Sequence, residues 1–163
     1  VEKRIVTKEE VESKLQEMAE LTTYSGEYTI TLSKDEARYI LDDYKIPGTT
    51  NSIEITASGI VKVGYDINDI KIRVDDFKIY ISLPDKAKLN DNYVIWDSVK
   101  YTEINSILNP INLSQYQEIV DEIETKGLAD VESKDIYEKA EENVKKIISV
   151  FLSEFVDYEI IYM

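Results

Sequence analysis

The middle of this chain alternates apolar and polar residues, and this pattern restricts the fold more than any other feature of the sequence. Side chains of a β-strand point alternately to its two faces, so a period of two predicts strands with one buried face. Ser58-Gly59 and Asp75-Asp76 interrupt the alternation as turn residues do. The pattern predicts a continuous antiparallel meander over residues 53–83. The residues predicted to be buried are Ile53, Ile55, Val61, Val63, Ile72, Ile79 and Ile81.

Two sequences of the capping-box type predict helices before the meander. In Thr7-Lys8-Glu9-Glu10 the threonine and the last glutamate can satisfy each other's free backbone N–H groups, which predicts a helix over residues 8–21. Ser33-Lys34-Asp35-Glu36 predicts a second, short helix. It ends at Ile46-Pro47-Gly48, because the residue before proline is pushed out of the helical region. Between the helices, a turn at Ser25-Gly26 and an alternating strand are predicted, the strand with Tyr28, Ile30 and Leu32.

Helical spacing returns after the meander, beyond a further predicted strand near residues 93–96. From Ser114 onward, apolar residues recur at helical spacing up to Gly127, which is predicted to cap the helix. Ser133 is predicted to begin the longest helix. Its apolar stripe consists of Ile136, Ala140, Val144, Ile147, Phe151 and Phe155, and an alternating terminal strand follows with Tyr158, Ile160 and Tyr162.

These elements predict a single α+β domain over residues 1–163. Its helices pack on one face of a mainly antiparallel sheet, formed by the central meander and the C-terminal strand. The longest apolar runs are far shorter than the roughly 20 residues that a membrane-spanning helix requires. The chain begins with Val1 rather than methionine, which indicates either removal of a leader or trimming to a soluble part.

Acidic residues dominate the charge of the chain, since 33 Asp and Glu stand against 19 Lys and Arg and the net charge is −14. A surface of this charge repels nucleic acids and anionic lipid headgroups, so neither is an expected partner. The chain has neither cysteine nor histidine. Disulfides, thiolate nucleophiles, Ser-His and Cys-His dyads and the usual zinc and haem ligand sets are therefore excluded.

The acidic segment Asp66-Ile67-Asn68-Asp69 is the candidate for a metal site. A calcium loop of the EF-hand type needs acids at alternate positions and a glycine at the sixth position. Here Asp69 is out of phase and the glycine is missing, which favours a turn between strands over a metal role. Asp42-Asp43 and Asp75-Asp76 are likewise interpreted as turn or helix-end residues. No residue is predicted to be catalytic or to bind a metal or a cofactor.

The chain contains twelve tyrosines, which is its most unusual compositional feature. Packing explains most of them, because a tyrosine ring can be buried while its hydroxyl reaches water. The alternative is that some of them line a groove for a peptide or a sugar. The tyrosines considered for such a groove are Tyr24, Tyr93, Tyr101, Tyr116, Tyr137 and Tyr158.

A family resemblance rests on motifs that follow one another in order along the chain. They include Ala19-Glu20-Leu21-Thr22-Thr23, Ile46-Pro47-Gly48-Thr49, Gly59-Ile60-Val61-Lys62-Val63-Gly64-Tyr65-Asp66-Ile67, Ile79-Tyr80-Ile81-Ser82-Leu83-Pro84, Asn109-Pro110-Ile111 and Ala140-Glu141-Glu142-Asn143-Val144-Lys145. Over about residues 8–162 the chain resembles the family catalogued as domain of unknown function 4230. The resemblance implies a bacterial protein with one transmembrane helix just before this part and the domain outside the cytoplasm. It supplies no activity.

Two hypotheses for the function remain open. The first is a non-catalytic, extracytoplasmic domain of a single-pass membrane protein that binds a protein, a peptide or an envelope polymer. An exposed apolar patch would support it. The second is a hydrolase that acts on an envelope component with carboxylates alone. It requires a pocket that holds at least two acids, one of them with a raised pKa.

Overall fold

The computed structural model of the chain describes residues 4–19, 23–32, 52–104 and 113–163, apart from the side chains of residues 52–53 and 101–115. Along these segments lie α1 (Lys8–Gln16), β1 (Thr23–Leu32), β2 (Ser52–Gly64), β3 (Lys71–Asp75), β4 (Lys78–Ser82), β5 (Lys88–Val94), β6 (Lys100–Ile104), α2 (Leu113–Ser133), α3 (Ile136–Phe151) and β7 (Glu159–Tyr162). One-turn 3-10 helices lie at Ile67–Asp69 and Trp96–Ser98. This combination of helices and strands confirms the predicted α+β class.

The described strands form two sheets. In the first, β2 lies between β1 and β5 and also pairs with β6. The β2–β6 pair is antiparallel and aligns Ser52 with Ile104. In the second sheet, β3 and β4 form an antiparallel hairpin, and β7 pairs with β4 in parallel, with Lys78 opposite Glu159. The arrangement is mainly antiparallel, as predicted, with β4–β7 as a parallel pair.

The prediction of one continuous meander is wrong, because β2 runs through Ser58-Gly59 without a turn. Strand β2 belongs to the first sheet, whereas the β3–β4 hairpin belongs to the second. Gly59 lies against the ring of Tyr28, and a Cβ there would overlap that ring. The glycine therefore serves close packing in a strand rather than a turn. The predicted burial is confirmed for Ile55, Val61, Val63, Ile72, Ile79 and Ile81, while the side chain of Ile53 lies outside the described residues.

The turn between β3 and β4 lies one residue beyond the predicted Asp75-Asp76, since Asp75 is the last residue of β3. The turn residues are Asp76 and Phe77, with φ angles of 47° and 58°. Two successive positive φ angles are typical of a two-residue type I′ hairpin turn. For residues other than glycine this backbone conformation costs about 1–2 kcal/mol each. The Phe77 ring lies 5.2 Å from the Tyr158 ring, centroid to centroid, and this contact offsets part of that cost.

Helix α1 begins where the capping box predicts and ends earlier than expected. Thr7 Oγ1 accepts a hydrogen bond of 3.2 Å from the Glu10 backbone N–H. The Glu10 carboxylate pairs with Arg4 at 2.7 Å. The helix ends at Gln16 instead of residue 21. Its inner face is buried at Val11 and Leu15.

The prediction of a turn at Ser25-Gly26 is wrong, because both residues lie within β1. Further along this strand the alternation predicts correctly, since Tyr28 and Leu32 are buried. The predicted helix from Ser33 and the Ile46-Pro47-Gly48 turn lie outside the described residues. The predicted terminal strand is confirmed as β7.

The two C-terminal helices differ from the prediction in their ends and in their buried stripe. Gly127 lies inside α2 instead of capping it, and Ser133 ends α2 instead of beginning α3. Asp135, with a φ angle of 62°, joins the two helices. The stripe of α3 continues to Ile148, and not to Ile147 and Phe151, which are only half-buried. The fully buried residues of this helix are Ile136, Ala140, Val144 and Ile148.

The chain divides into two compact units. Unit 1 consists of Val1–Ser25, Lys62–Asn90 and Asp135–Met163, and it contains α1, the β3–β4–β7 sheet and α3. Unit 2 consists of Gly26–Val61 and Asp91–Lys134, and it contains α2, β6 and most of β1 and β2. A single domain over residues 1–163 stays a prediction.

Candidate functional site

The loop that connects β5 to β6 is fixed to the middle of β2. The carbonyl oxygen of Ser58 accepts a hydrogen bond of 2.9 Å from the Ile95 N–H and one of 3.1 Å from Ser98 Oγ. The Ser58 N–H donates to Ser98 Oγ at 2.9 Å. The 3-10 helix of Trp96–Ser98 is closed by a hydrogen bond from Val99 N–H to the carbonyl of Trp96. These bonds hold the backbone that carries Trp96 against strand β2.

Trp96 projects from this fixed loop into solvent, with an exposed fraction of 62%. One face of its ring stacks on Tyr116 in α2, with ring centroids 5.7 Å apart and planes at 13°. The offset, nearly parallel arrangement is one that aromatic pairs favour. The preceding residue, Ile95, is 36% exposed. We call the surface formed by Ile95, Trp96 and Tyr116 the aromatic platform.

Tyr28 holds α2 in the position that brings Tyr116 to the platform. Its ring is 2% exposed and lies between Gly59 in β2 and Gly127 in α2. The Tyr28 hydroxyl donates a hydrogen bond of 2.9 Å to Asn92 Oδ1. Asn92 Nδ2 in turn donates to the Glu124 carbonyl oxygen of α2 at 2.9 Å. Buried polar groups satisfied in this way link α2 to β1 and β5.

An acidic group lies beside this network. Burial raises the pKa of Glu124, the negative charges of Asp121 and Asp91 raise it further, and a hydrogen bond from the Val94 N–H lowers it. Burial, together with the charge of Glu124, raises the pKa of Tyr28 to about 12. Tyr28 therefore stays protonated and remains a hydrogen-bond donor throughout the physiological pH range.

Replacing Glu124 with glutamine should stabilise the protein at neutral pH. The pKa of Glu124 is raised in the folded state, so its ionised form lowers the free energy of unfolding. This loss of stability disappears as the pH falls below the unfolded-state pKa near 4.5. Glutamine keeps an acceptor for the Val94 N–H. The gain in the free energy of unfolding, measured by urea titration, should be present at pH 7 and vanish below pH 4.5.

The control for this experiment is Glu118→Gln, at an exposed position of the same helix. Exposed charges contribute little to stability, so this variant should behave like the unmodified protein across the same pH range. The raised pKa would be contradicted if the stability gain of Glu124→Gln over the unmodified protein were smaller at pH 7 than at acidic pH.

Among the cavities described in unit 1, one of about 370 Å³ lies between α1 and the turn after α3. Arg4 pairs with Glu10 at 2.7 Å and Lys14 pairs with Glu154 at 3.2 Å, so both cations at this cavity have carboxylate partners. The hydrogen bond to Glu154 and its charge raise the pKa of Lys14. The lining residues are Arg4, Glu9, Glu10, Ser13, Lys14, Glu154 and Phe155.

A carboxylate hydrolase needs a pocket that holds at least two acids, one of them with a raised pKa. Here the acids that line the cavity and the acid with the pKa raised by burial are different residues. Glu9, Glu10 and Glu154 line the cavity of unit 1. The acid whose pKa is raised by burial is Glu124, which belongs to unit 2 and does not line that cavity. At this cavity, therefore, the acids are not joined by the one whose pKa burial raises. The aromatic platform is the stronger candidate for a functional surface.

A family model covers nearly the whole chain. It matches residues 13–161 and is described as Protein of unknown function (DUF4230). The chain belongs to this family. The match confirms the family suggested by the sequence motifs, with bounds of 13–161 in place of 8–162. A search of curated proteins and a search of solved structures found no match.

The tyrosines considered for a groove make separate contacts in this DUF4230 protein. Tyr116 belongs to the aromatic platform. The Tyr137 ring lies 4.9 Å from Lys86 Nζ. The hydroxyl of Tyr158 accepts a hydrogen bond of 2.9 Å from the Val6 N–H. Of the others, Tyr24 and Tyr93 are half-buried, and the side chain of Tyr101 lies outside the described residues.

The sequence interpretation did not recognise Trp96 as a functional residue. It placed this residue at the end of a predicted strand, where an aromatic side chain is ordinary. Two signals pointed further: Trp96 is the one tryptophan of the chain, and Asp97-Ser98 follows it as a typical turn sequence. A large apolar residue at the start of a polar turn has little opportunity to be buried by its own segment.

The acidic segment at residues 66–69 of this DUF4230 protein forms the turn that was predicted. Asp66 Oδ1 accepts a hydrogen bond of 2.9 Å from the Asn68 N–H and caps a 3-10 helix. Asp69 pairs with Lys88 at 2.9 Å. Among the described residues, no group of three or more acids could hold a metal ion, and no helix is long and apolar enough to cross a membrane.

Proposed function

We propose that this DUF4230 protein is a non-catalytic binding domain and that its contact surface is the aromatic platform. The observation that carries the proposal is that Trp96 is 62% exposed although the flanking Ile95 and Ser98 are bonded to Ser58 and its ring is stacked on Tyr116. Tryptophan and tyrosine are the residues that most often dominate the energy of binding interfaces. A partner that covers Trp96 would gain this apolar area without having to order the ring.

The proposal places the domain outside the cytoplasm, attached to the membrane by a segment that precedes Val1. The resemblance described above supports this location. A net charge of −14 disfavours adhesion of the domain to anionic lipid headgroups. The domain would stand away from the bilayer and present the platform to components of the envelope.

A cysteine-labelling experiment on the full-length protein in its own cells, with the protein lacking the added cysteine as the reference, tests both parts of the proposal. Residues 1–163 contain no cysteine, so Lys100→Cys places one thiol in this domain at an exposed position four residues after Trp96. A membrane-impermeant, thiol-reactive photo-crosslinker is added to intact cells. We expect labelling of the thiol, which reports the location, and a cross-linked adduct that disappears when Trp96→Ala is added, which reports binding through the platform.

The matched control is Lys139→Cys, at an exposed position of α3 in unit 1. It should be labelled as efficiently as Lys100→Cys but should give no adduct that depends on Trp96. Failure to label either thiol in intact cells would overturn the extracytoplasmic location. An adduct at residue 100 that is unchanged by Trp96→Ala would overturn the role of the platform.

A further inference from the structure

The geometry points to a ligand class for the aromatic platform: we infer that it binds a neutral glycan by stacking of a hexose ring on Trp96. This inference rests on the proposed function and narrows it to one kind of partner. A hexose with equatorial substituents has axial C–H groups on both faces, so each face is apolar and flat enough to lie on an indole ring. Its edge carries hydroxyl groups that need hydrogen-bond acceptors.

Among the described residues, the ring that stacks on Trp96 is that of Tyr116, with the two planes at 13°. Trp96 as a residue remains 62% exposed, so the opposite face of its ring is the one proposed to take the ligand. Because Ile95 and Ser98 anchor the loop to Ser58, the ring is held at a fixed place before the ligand arrives. Stacking of a flat ligand on an aromatic side chain adds to the affinity, as it does when the ligand is a nucleic acid base.

The charge around the platform selects among flat ligands. Asp97 follows Trp96 in the same 3-10 helix and is exposed, so its carboxylate can accept hydrogen bonds from sugar hydroxyls. The same carboxylate, in a chain with 33 acids and 19 bases, repels phosphates and uronic acids. A nucleobase attached to a phosphate backbone is thereby disfavoured, whereas an uncharged or N-acetylated sugar is not.

Other aromatic rings of the chain provide a contrast. The guanidinium of Arg73 lies over the Tyr80 ring at 4.0 Å from its centroid. The Nζ of Lys145 lies over the Tyr162 ring at 4.8 Å. A cation already occupies a face of each of these rings, so a sugar would have to displace it. At Trp96 the stacking partner is another ring, and it lies on one face.

Intrinsic fluorescence tests the inference directly, because the chain has one tryptophan. The domain is titrated with β-1,4-linked hexamers of glucose and of N-acetylglucosamine. We expect a saturable change in the emission of Trp96 with at least one of them. A hexamer of galacturonic acid and a proline-rich peptide serve as the anionic and the peptide ligands, and both should leave the emission unchanged.

Calorimetry then compares variants against the hexamer that binds. Trp96→Ala should weaken binding about tenfold or more, which corresponds to the loss of at least 1.4 kcal/mol. Tyr116→Ala should weaken it less, since Tyr116 lies on the face of Trp96 opposite the stacked sugar and contributes mainly by supporting that ring. The matched control is Tyr80→Ala, which removes a ring covered by Arg73 and should leave the affinity unchanged.

The inference is overturned if neither neutral hexamer produces a saturable change, or if the peptide or the anionic hexamer binds in their place. It is also overturned if Trp96→Ala binds as tightly as the unmodified domain. If no glycan changes the emission but the adduct in cells depends on Trp96, the glycan inference is rejected and the binding proposal stands. Absence of both signals would reject the two together.

Discussion

Gly127→Ala should lower the free energy of unfolding by about 2 kcal/mol, although alanine is the better helix former. In an exposed helix this change would gain about 1 kcal/mol. Here a Cβ at residue 127 would overlap the ring of Tyr28, which is 2% exposed and held between Gly127 and Gly59. Overpacking of a core costs about 1–3 kcal/mol, and an overlap this severe falls at the upper end. Urea unfolding followed by circular dichroism measures the difference.

Making Gly127→Ala also in a Tyr28→Leu variant separates the effect of overlap with the Tyr28 ring from any other effect of the substitution. In Tyr28→Leu, the ring that a Cβ would meet is gone. Gly127→Ala should then be neutral or stabilising, so the two substitutions should show strong coupling in a double-mutant cycle. If Gly127→Ala were equally destabilising in both backgrounds, the explanation for this glycine would be incorrect.

Ile148→Ala should be the most damaging truncation in α3, with a loss of about 2–5 kcal/mol. Ile148 is fully buried, with 0% exposure, and it continues the stripe of Ala140 and Val144. That loss is a large share of the ~5–15 kcal/mol by which a domain of this size is stable. Phe151→Ala should cost less, because Phe151 is only half-buried. Denaturant unfolding of the two variants side by side provides the measurement.

Exposed acids of the same helix are the controls for these truncations. Glu138→Gln and Glu142→Gln should change stability by less than about 0.5 kcal/mol, since both side chains are exposed. A Phe151→Ala variant that lost as much stability as Ile148→Ala would contradict this difference and would place Phe151 in the core, as the sequence predicted.

Local patterns in the sequence predicted much of this fold. Alternation identified the buried residues of β2 to β4, since burial on a strand depends on a period that is visible in the chain itself. Thr7 predicted the start of α1 because a cap acts within one turn of the helix. The hairpin near Asp76 was located to within one residue for the same reason.

The errors concern residues whose role depends on distant parts of the chain. Glycine is typical of turns and helix caps, so the sequence predicted Gly59 in a turn and Gly127 in a cap. Their places in a strand and a helix are explained by the ring of Tyr28, which packs against both. The exchange of Ile147 for Ile148 reflects the 3.6-residue period, because either residue continues a stripe from Val144. The platform was missed because Trp96 and Tyr116 are separated in sequence and meet only in the folded chain.

The parallel pairing of β4 with β7 has a consequence for the order of events during synthesis. The two strands are about 80 residues apart in sequence, so unit 1 cannot complete its sheet until β7 has left the ribosome. Until then the edge of β4 at Ile79 and Ile81 remains unpaired and able to associate with other chains. Unit 2 ends at Lys134 and has no such requirement, so its segments are available to fold earlier. Nascent chains that stall between the two helices would therefore keep this strand edge open to association with other chains.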